Sequence, residues 1–94
     1  MNSTEGRLRV TEVSYYAIVD RRSTIENPAG IARRRFESAG GFNDEALSGD
    51  FTWAFTPLIV EWERGKSSPD LVSVTEEEAE RIIERFRDRW GATS

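Results

Sequence analysis

Cysteine and histidine are both absent from this chain. Without cysteine there is no disulfide, no thiolate nucleophile and no Cys-based zinc or iron–sulfur site. Without histidine the usual general base and the commonest transition-metal ligand are missing too. No apolar run approaches the roughly 20 residues of a membrane span. The opening MNSTEGRLRV lacks the apolar core of a signal peptide, so a cytoplasmic protein with no membrane association is expected. On that expectation the Asn2-Ser3-Thr4 glycosylation pattern is fortuitous. There is no glycine-rich phosphate loop and no calcium-loop spacing. These absences remove most familiar catalytic constellations and leave carboxylates, arginines and aromatic rings.

Those three classes are plentiful. At 94 residues the chain is sized for one domain, and three tryptophans, two tyrosines and five phenylalanines provide core material that a disordered chain would lack. Charge is uneven. Residues 1–41 carry seven arginines against five acids; residues 42–94 carry six basic groups against twelve acids. The net charge of −4 argues against nucleic acid as a general partner, because such binding rests on many cationic phosphate contacts.

Residues Thr75–Trp90, TEEEAERIIERFRDRW, spell an amphipathic helix. Thr75 and Glu78 stand at capping-box spacing, and Val74 is placed to staple onto Ala79. Ala79, Ile82, Ile83, Phe86 and Trp90 fall on one face. Acids in the first turn and arginines in the last match the helix dipole. Gly91 is placed to end a rod of about 24 Å.

The preceding chain is expected to supply the surface that this stripe covers. Thr11–Asp20 reads as a strand with Val13, Tyr15, Ala17 and Val19 on its inner face, and Leu8 and Val10 are candidates to begin it. A second strand, Ile31–Glu37, alternates less cleanly, and Ser38-Ala39-Gly40-Gly41 ends it as a flexible break. Asn43 is placed to cap a single helical turn over Asp44–Leu47. In FTWAFTPLIVEWERG the alternation of Phe51, Trp53 and Phe55 slips phase at Pro57. A bulge or break is therefore expected there, followed by a strand over Leu58–Glu63. Leu71–Val74 follows as the last strand. The expected fold is α+β: a two-layer, mainly antiparallel four-stranded sheet (β-β-β-β-α) covered by one C-terminal helix. The domain is placed at residues 11–91, with 1–10 a flexible N-terminal segment and 92–94 a tail. The inner layer is expected to hold the first-strand set with Phe36, Leu58, Val60, Trp62, Leu71 and the helix stripe.

Three groups are candidates for chemistry. In the run Arg33-Arg34-Arg35, two guanidiniums point one way and one the other. With Arg21, Arg22 and a stacking Tyr16, the run suits an anion, a phosphate ligand or a partner contact. The favoured reading sets Arg33 and Arg35 in a surface ladder with Glu61 and Glu63, because solvated ion pairs are common on sheet surfaces. Arg34, between Ala32 and Phe36, either escapes at the sheet margin or pairs with a carboxylate. The acids Asp44, Glu45 and Asp50, with Glu61 or Glu63, are the one set available to a hard cation, but their spacing fits no metal loop, and no metal or other cofactor is expected. Phe51, Trp53 and Phe55 either close the core against the helix or form an exposed aromatic interface.

The strings YYAIVD, PAGIARRRF, DEAL, the EWERG turn and VTEEEAERIIERFRDRW together resemble a set of short, uncharacterised bacterial proteins of about this length. No activity attaches to that set, so the resemblance implies no catalytic residues. The expectation is a small non-enzymatic interaction or regulatory module, self-associating or binding a protein partner. The alternative is a nucleic-acid or phosphate-ligand binder working through Arg21, Arg22 and Arg33–Arg35. An enzyme using carboxylates alone ranks behind both, since no pair of them is set apart for acid–base work.

Overall fold

The structure, a computed structural model, describes residues 12–66 and 68–91. The expectations for Leu8 and Val10, for the N-terminal segment 1–10 and for the tail 92–94 lie outside the described residues. Five strands form one antiparallel sheet: β1 (Val13–Val19), β2 (Gly30–Phe36), β3 (Phe42–Leu47), β4 (Trp53–Phe55) and β5 (Asp70–Val74). Among the described residues there are also two helices, α1 (Leu58–Glu63) and α2 (Glu76–Gly91). The spatial order is β4-β3-β2-β1-β5. Three hairpin-type connections build the sheet from β1 out to β4. The chain then crosses by way of α1 to add β5 beside β1.

The α+β class, the antiparallel sheet and the C-terminal helix agree with the sequence. Three details do not. Among the described residues the sheet has five strands rather than four. Leu58–Glu63 is helical, and Phe42–Leu47 is a strand rather than a capped turn. The sheet is covered on both faces, so there are three layers rather than two.

The C-terminal helix formed for the reasons legible in its residues. Thr75 N donates to Glu78 Oε1 at 2.8 Å and Glu78 N donates to Thr75 Oγ1 at 3.0 Å, a reciprocal capping box. Ala79, Ile82 and Phe86 are buried against Ala17 and Ile31, with Tyr15, Val19, Val74, Ile83 and Trp90 around them. Phe86 stacks on Trp90 with ring centroids 4.5 Å apart.

The opposite face is covered by α1. Ile59 is fully buried with Ala32 and Leu71, and Trp62 leans on Tyr16 at 5.9 Å. Ile59, Trp62 and Glu63 are spaced i, i+3, i+4, so one side of two short turns faces the sheet. Leu71 and Trp62, expected beneath the C-terminal helix, thus belong to the other layer. In six residues a period of 2 and a period of 3.6 are hard to separate, and Pro57, standing just before the first turn, suits a helix start better than a strand.

Register places every side chain. Tyr15 pairs with Arg33 and Ala17 with Ile31, so Arg33 and Arg35 share the α2 face with the first-strand core set. Arg34 and Phe36 lie on the α1 face instead. The break expected at Ser38–Gly41 is a tight hairpin: Gly40 and Gly41 adopt φ of 99° and 85°, and Glu37 N donates to Gly41 O at 3.1 Å. That conformation is natural for glycine and costly for side-chain-bearing residues.

Candidate interaction surface

The arginine run sits at the middle of the sheet, and each member is occupied. Arg34 lies directly opposite Asp44 in the β2–β3 register. Its Nε donates to Asp44 Oδ1 at 2.7 Å and its Nη2 to Asp44 Oδ2 at 3.0 Å. On its other side Nη1 and Nη2 donate to Glu63 at 2.9 and 3.2 Å. Arg34 is only 6 % exposed, and this double fork supplies the hydrogen bonds that a buried guanidinium requires. The bond to Asp44, reinforced by Glu63, raises its pKa against the opposing effect of burial. Arg33 Nε and Arg35 Nε both donate to Glu45 Oε1, at 2.8 and 3.0 Å. The bonds from Arg35 and then Arg33 hold the Glu45 carboxyl below its ordinary range.

The ladder expected with Glu61 and Glu63 is therefore replaced. Arg33 and Arg35 share Glu45 on the α2 face, while Arg34 takes Asp44 and Glu63 on the α1 face. Glu61 pairs with Lys66 at 3.5 Å. The basic patch is also divided: Arg35 lies opposite Val13 at the start of β1, and Arg21 and Arg22 lie beyond its end at Val19. Tyr16, expected as a stacking ring, packs against Trp62. An anion at Arg33–Arg35 would have to displace Asp44, Glu45 or Glu63. The acids named for a cation are likewise dispersed. Asp44 and Glu45 face opposite sides of the sheet, and Asp50 accepts from Ser48 Oγ and Thr52 Oγ1 in the β3–β4 turn. Among the described residues no group of three or more acidic side chains is placed to hold a metal.

The arginines also fix aromatic rings. The Arg33 guanidinium lies 4.0 Å from the centroid of Trp53, and that of Arg34 lies 3.8 Å from the centroid of Phe42. Both rings belong to the outer half of the sheet. The central strand thus steadies the β3–β4 hairpin through its carboxylates and its rings together.

The aromatic segment divides into two kinds. Phe51 packs on Trp90 at 5.4 Å, and Trp53 on Tyr15 at 6.5 Å, so both close the margin of the core. Phe51 does so with φ of 65°, an uncommon conformation for a bulky residue, and its N–H donates to Ser48 O at 2.9 Å. Phe55 is different: it is 80 % exposed at the end of an edge strand. Phe42 is 46 % exposed. Phe42 and Phe55 both line a mainly apolar groove of about 240 Å³, completed by Asn43, Asp44, Thr56, Pro57 and Val60. Phe42, Asp44 and Glu45 form one unit with the arginines, which the order of residues does not show without the hairpin. The signal was available: read as a tight hairpin, SAGG sets Arg33-Arg34-Arg35 opposite Asn43-Asp44-Glu45.

Among the described residues no helix is long and apolar enough to cross a membrane. No family model, curated protein or solved structure matches the chain.

Proposed function

We propose that this chain is a small, non-enzymatic protein-interaction module that engages its partner through the β4 edge and the adjoining Phe42–Phe55 groove. One observation carries the reading. Phe55 is 80 % exposed on an edge strand, within a stretch from Phe51 to Val60 that holds no charged residue, in a chain that is 32 % charged. Proteins usually protect sheet edges by short strands, charges, prolines or bulges; β4 is short, but Trp53–Phe55 carries neither a charge nor a proline. A large apolar ring left in water beside open backbone groups fits an interface. The occupied arginines support the same reading from inside, because they hold the Trp53 and Phe42 rings in fixed positions before any partner arrives. The alternative of a nucleic-acid or phosphate ligand at Arg33–Arg35 gains no support from guanidiniums already bound to carboxylates.

Phe55→Asp tests the proposal, since an exposed side chain is replaced without disturbing the core. Native mass across a dilution series and capture of binding proteins are compared with the wild type. Loss of association in the variant, with an unchanged urea midpoint, is expected. Association that survives Phe55→Asp undiminished overturns the proposal, as does a wild-type chain that is strictly monomeric and captures nothing.

A further inference from the structure

Resting on that reading, we infer that the partner at the β4 edge is a second copy of this chain, paired antiparallel about a two-fold axis at Ala54. The argument starts from the backbone. Thr56 N donates to Asp44 O at 3.1 Å and Ser48 N donates to Thr52 O at 2.9 Å. In the register Ala46↔Ala54, these bonds flank Ala54 two residues to either side. Hydrogen-bonded and non-hydrogen-bonded pairs alternate along an antiparallel ladder, so Ala54 turns its N–H and C=O toward β3. Trp53 and Phe55 must then turn theirs toward the open edge.

Those four outward groups complement themselves. With the axis between the two Ala54 residues, Trp53 of one copy lies opposite Phe55 of the other, twice over. Each such pair exchanges two backbone hydrogen bonds, and all four groups in each copy are satisfied. Ala54 becomes the non-hydrogen-bonded pair at the axis, where strands approach most closely and a small side chain fits best. On the α2 face the exposed Phe55 ring comes to lie beside Trp53 of the other copy, a ring already steadied by Arg33. Because Phe51–Val60 carries no charge, the axis brings no like charges into opposition. Pairing stops where Phe51 takes its left-handed φ and where Pro57 begins the approach to α1, so the shared segment is three residues long. The product is a ten-stranded sheet with the two C-terminal helices on the same face. The other edge is less suited: β5 opens on Asp70, whose carboxylate accepts from Trp62 Nε1 at 3.1 Å.

The natural absence of cysteine makes the axis testable. Single substitutions Ala54→Cys, Phe55→Cys and Glu80→Cys are made in the full chain and oxidised at matched concentration. Two residues at 54 face each other at about 4.5 Å between Cα atoms, within disulfide reach. Two residues at 55 are offset by a pair of positions and lie beyond the roughly 7 Å limit. Ala54→Cys is therefore expected to form a covalent dimer, with the other two at background. Sedimentation of the wild type should show a concentration-dependent dimer that Phe55→Asp weakens at least tenfold. Equal cross-linking at 54 and 55, or self-association indifferent to Phe55→Asp, overturns the two-fold pairing. A wild type that stays monomeric at high micromolar concentration overturns it as well. In that last case Phe55-dependent capture of another protein would leave the interaction reading standing, and no capture would remove both.

Discussion

The two faces of the sheet are covered by different means. Over one, α2 lays sixteen residues, and its buried contacts are apolar, Ala79, Ile82 and Phe86 against Ala17 and Ile31. Over the other, α1 has six residues, only Ile59 among them is buried, and Glu63 at its end grips Arg34. A long helix presents a continuous stripe whose contacts add up without any one being directional. Two turns present too little area for that. The short helix is instead fixed in place by a fork of hydrogen bonds to a guanidinium that the sheet itself buries. The Arg34 cluster therefore orients α1, and so orders the Pro57 turn and the groove beside β4, more than it adds stability.

The largest effects should come from the apolar contacts. Phe86→Ala empties a fully buried site under α2 and is expected to cost about 3–5 kcal/mol, a large share of a small domain's stability. Ile59→Ala, equally buried under α1, is expected to cost less, about 2–3 kcal/mol, because a six-residue helix can settle into the space. Urea unfolding of both variants measures the gap, and a larger loss at Ile59 would show that the short helix depends on apolar burial as much as the long one does.

Next is the buried ion cluster. Asp44→Ala leaves Arg34 with one partner and is expected to cost about 3 kcal/mol, whereas Arg34→Met with Asp44→Leu should lie within about 1 kcal/mol of wild type. The paired variant should nevertheless loosen α1, seen as faster amide exchange over residues 58–63. Unchanged exchange there would show that the cluster does not orient the helix. A smaller effect is expected at the cap: Thr75→Ala removes one half of the box and should lower stability by about 1 kcal/mol in the same urea series.

The smallest is a pH effect at Glu45. Its carboxyl has a folded pKa below the ordinary 4.5, so the stabilisation is fully present above 4.5 and is lost as pH falls through the folded value. Between those two values the wild type should lose stability more steeply than Glu45→Gln, and parallel acid limbs would remove the Arg33–Glu45–Arg35 bridge from the account.

The helix of the C-terminal third was legible because its signals are local and redundant: the Thr75–Glu78 box, five apolar residues at helical spacing and charges matched to the dipole. β1 was legible because VSYYAIV alternates and is rich in β-branched and aromatic residues. The Leu58–Glu63 segment misled because its β-branched content and brief alternation mimic a strand. Asp44–Leu47 misled because Asn43 resembles a cap, and a three-residue strand such as β4 is too short to announce itself. For the arginines, the need of Arg34 for a carboxylate was visible in its apolar neighbours. Which carboxylate would answer depended on the hairpin at Gly40 and Gly41.

By itself, then, the order of residues determined one rod, one leading strand, and the presence of more buried cationic charge than an apolar layer accepts unpaired. Those properties reside in neighbours a few positions apart, where spacing alone fixes which side chains meet. Register, the second covered face and the place of β4 at the margin of the described sheet were decided only when the strands paired. A shift of one residue in a ladder exchanges the faces of every side chain on it, and that choice is made by contacts between segments distant along the chain.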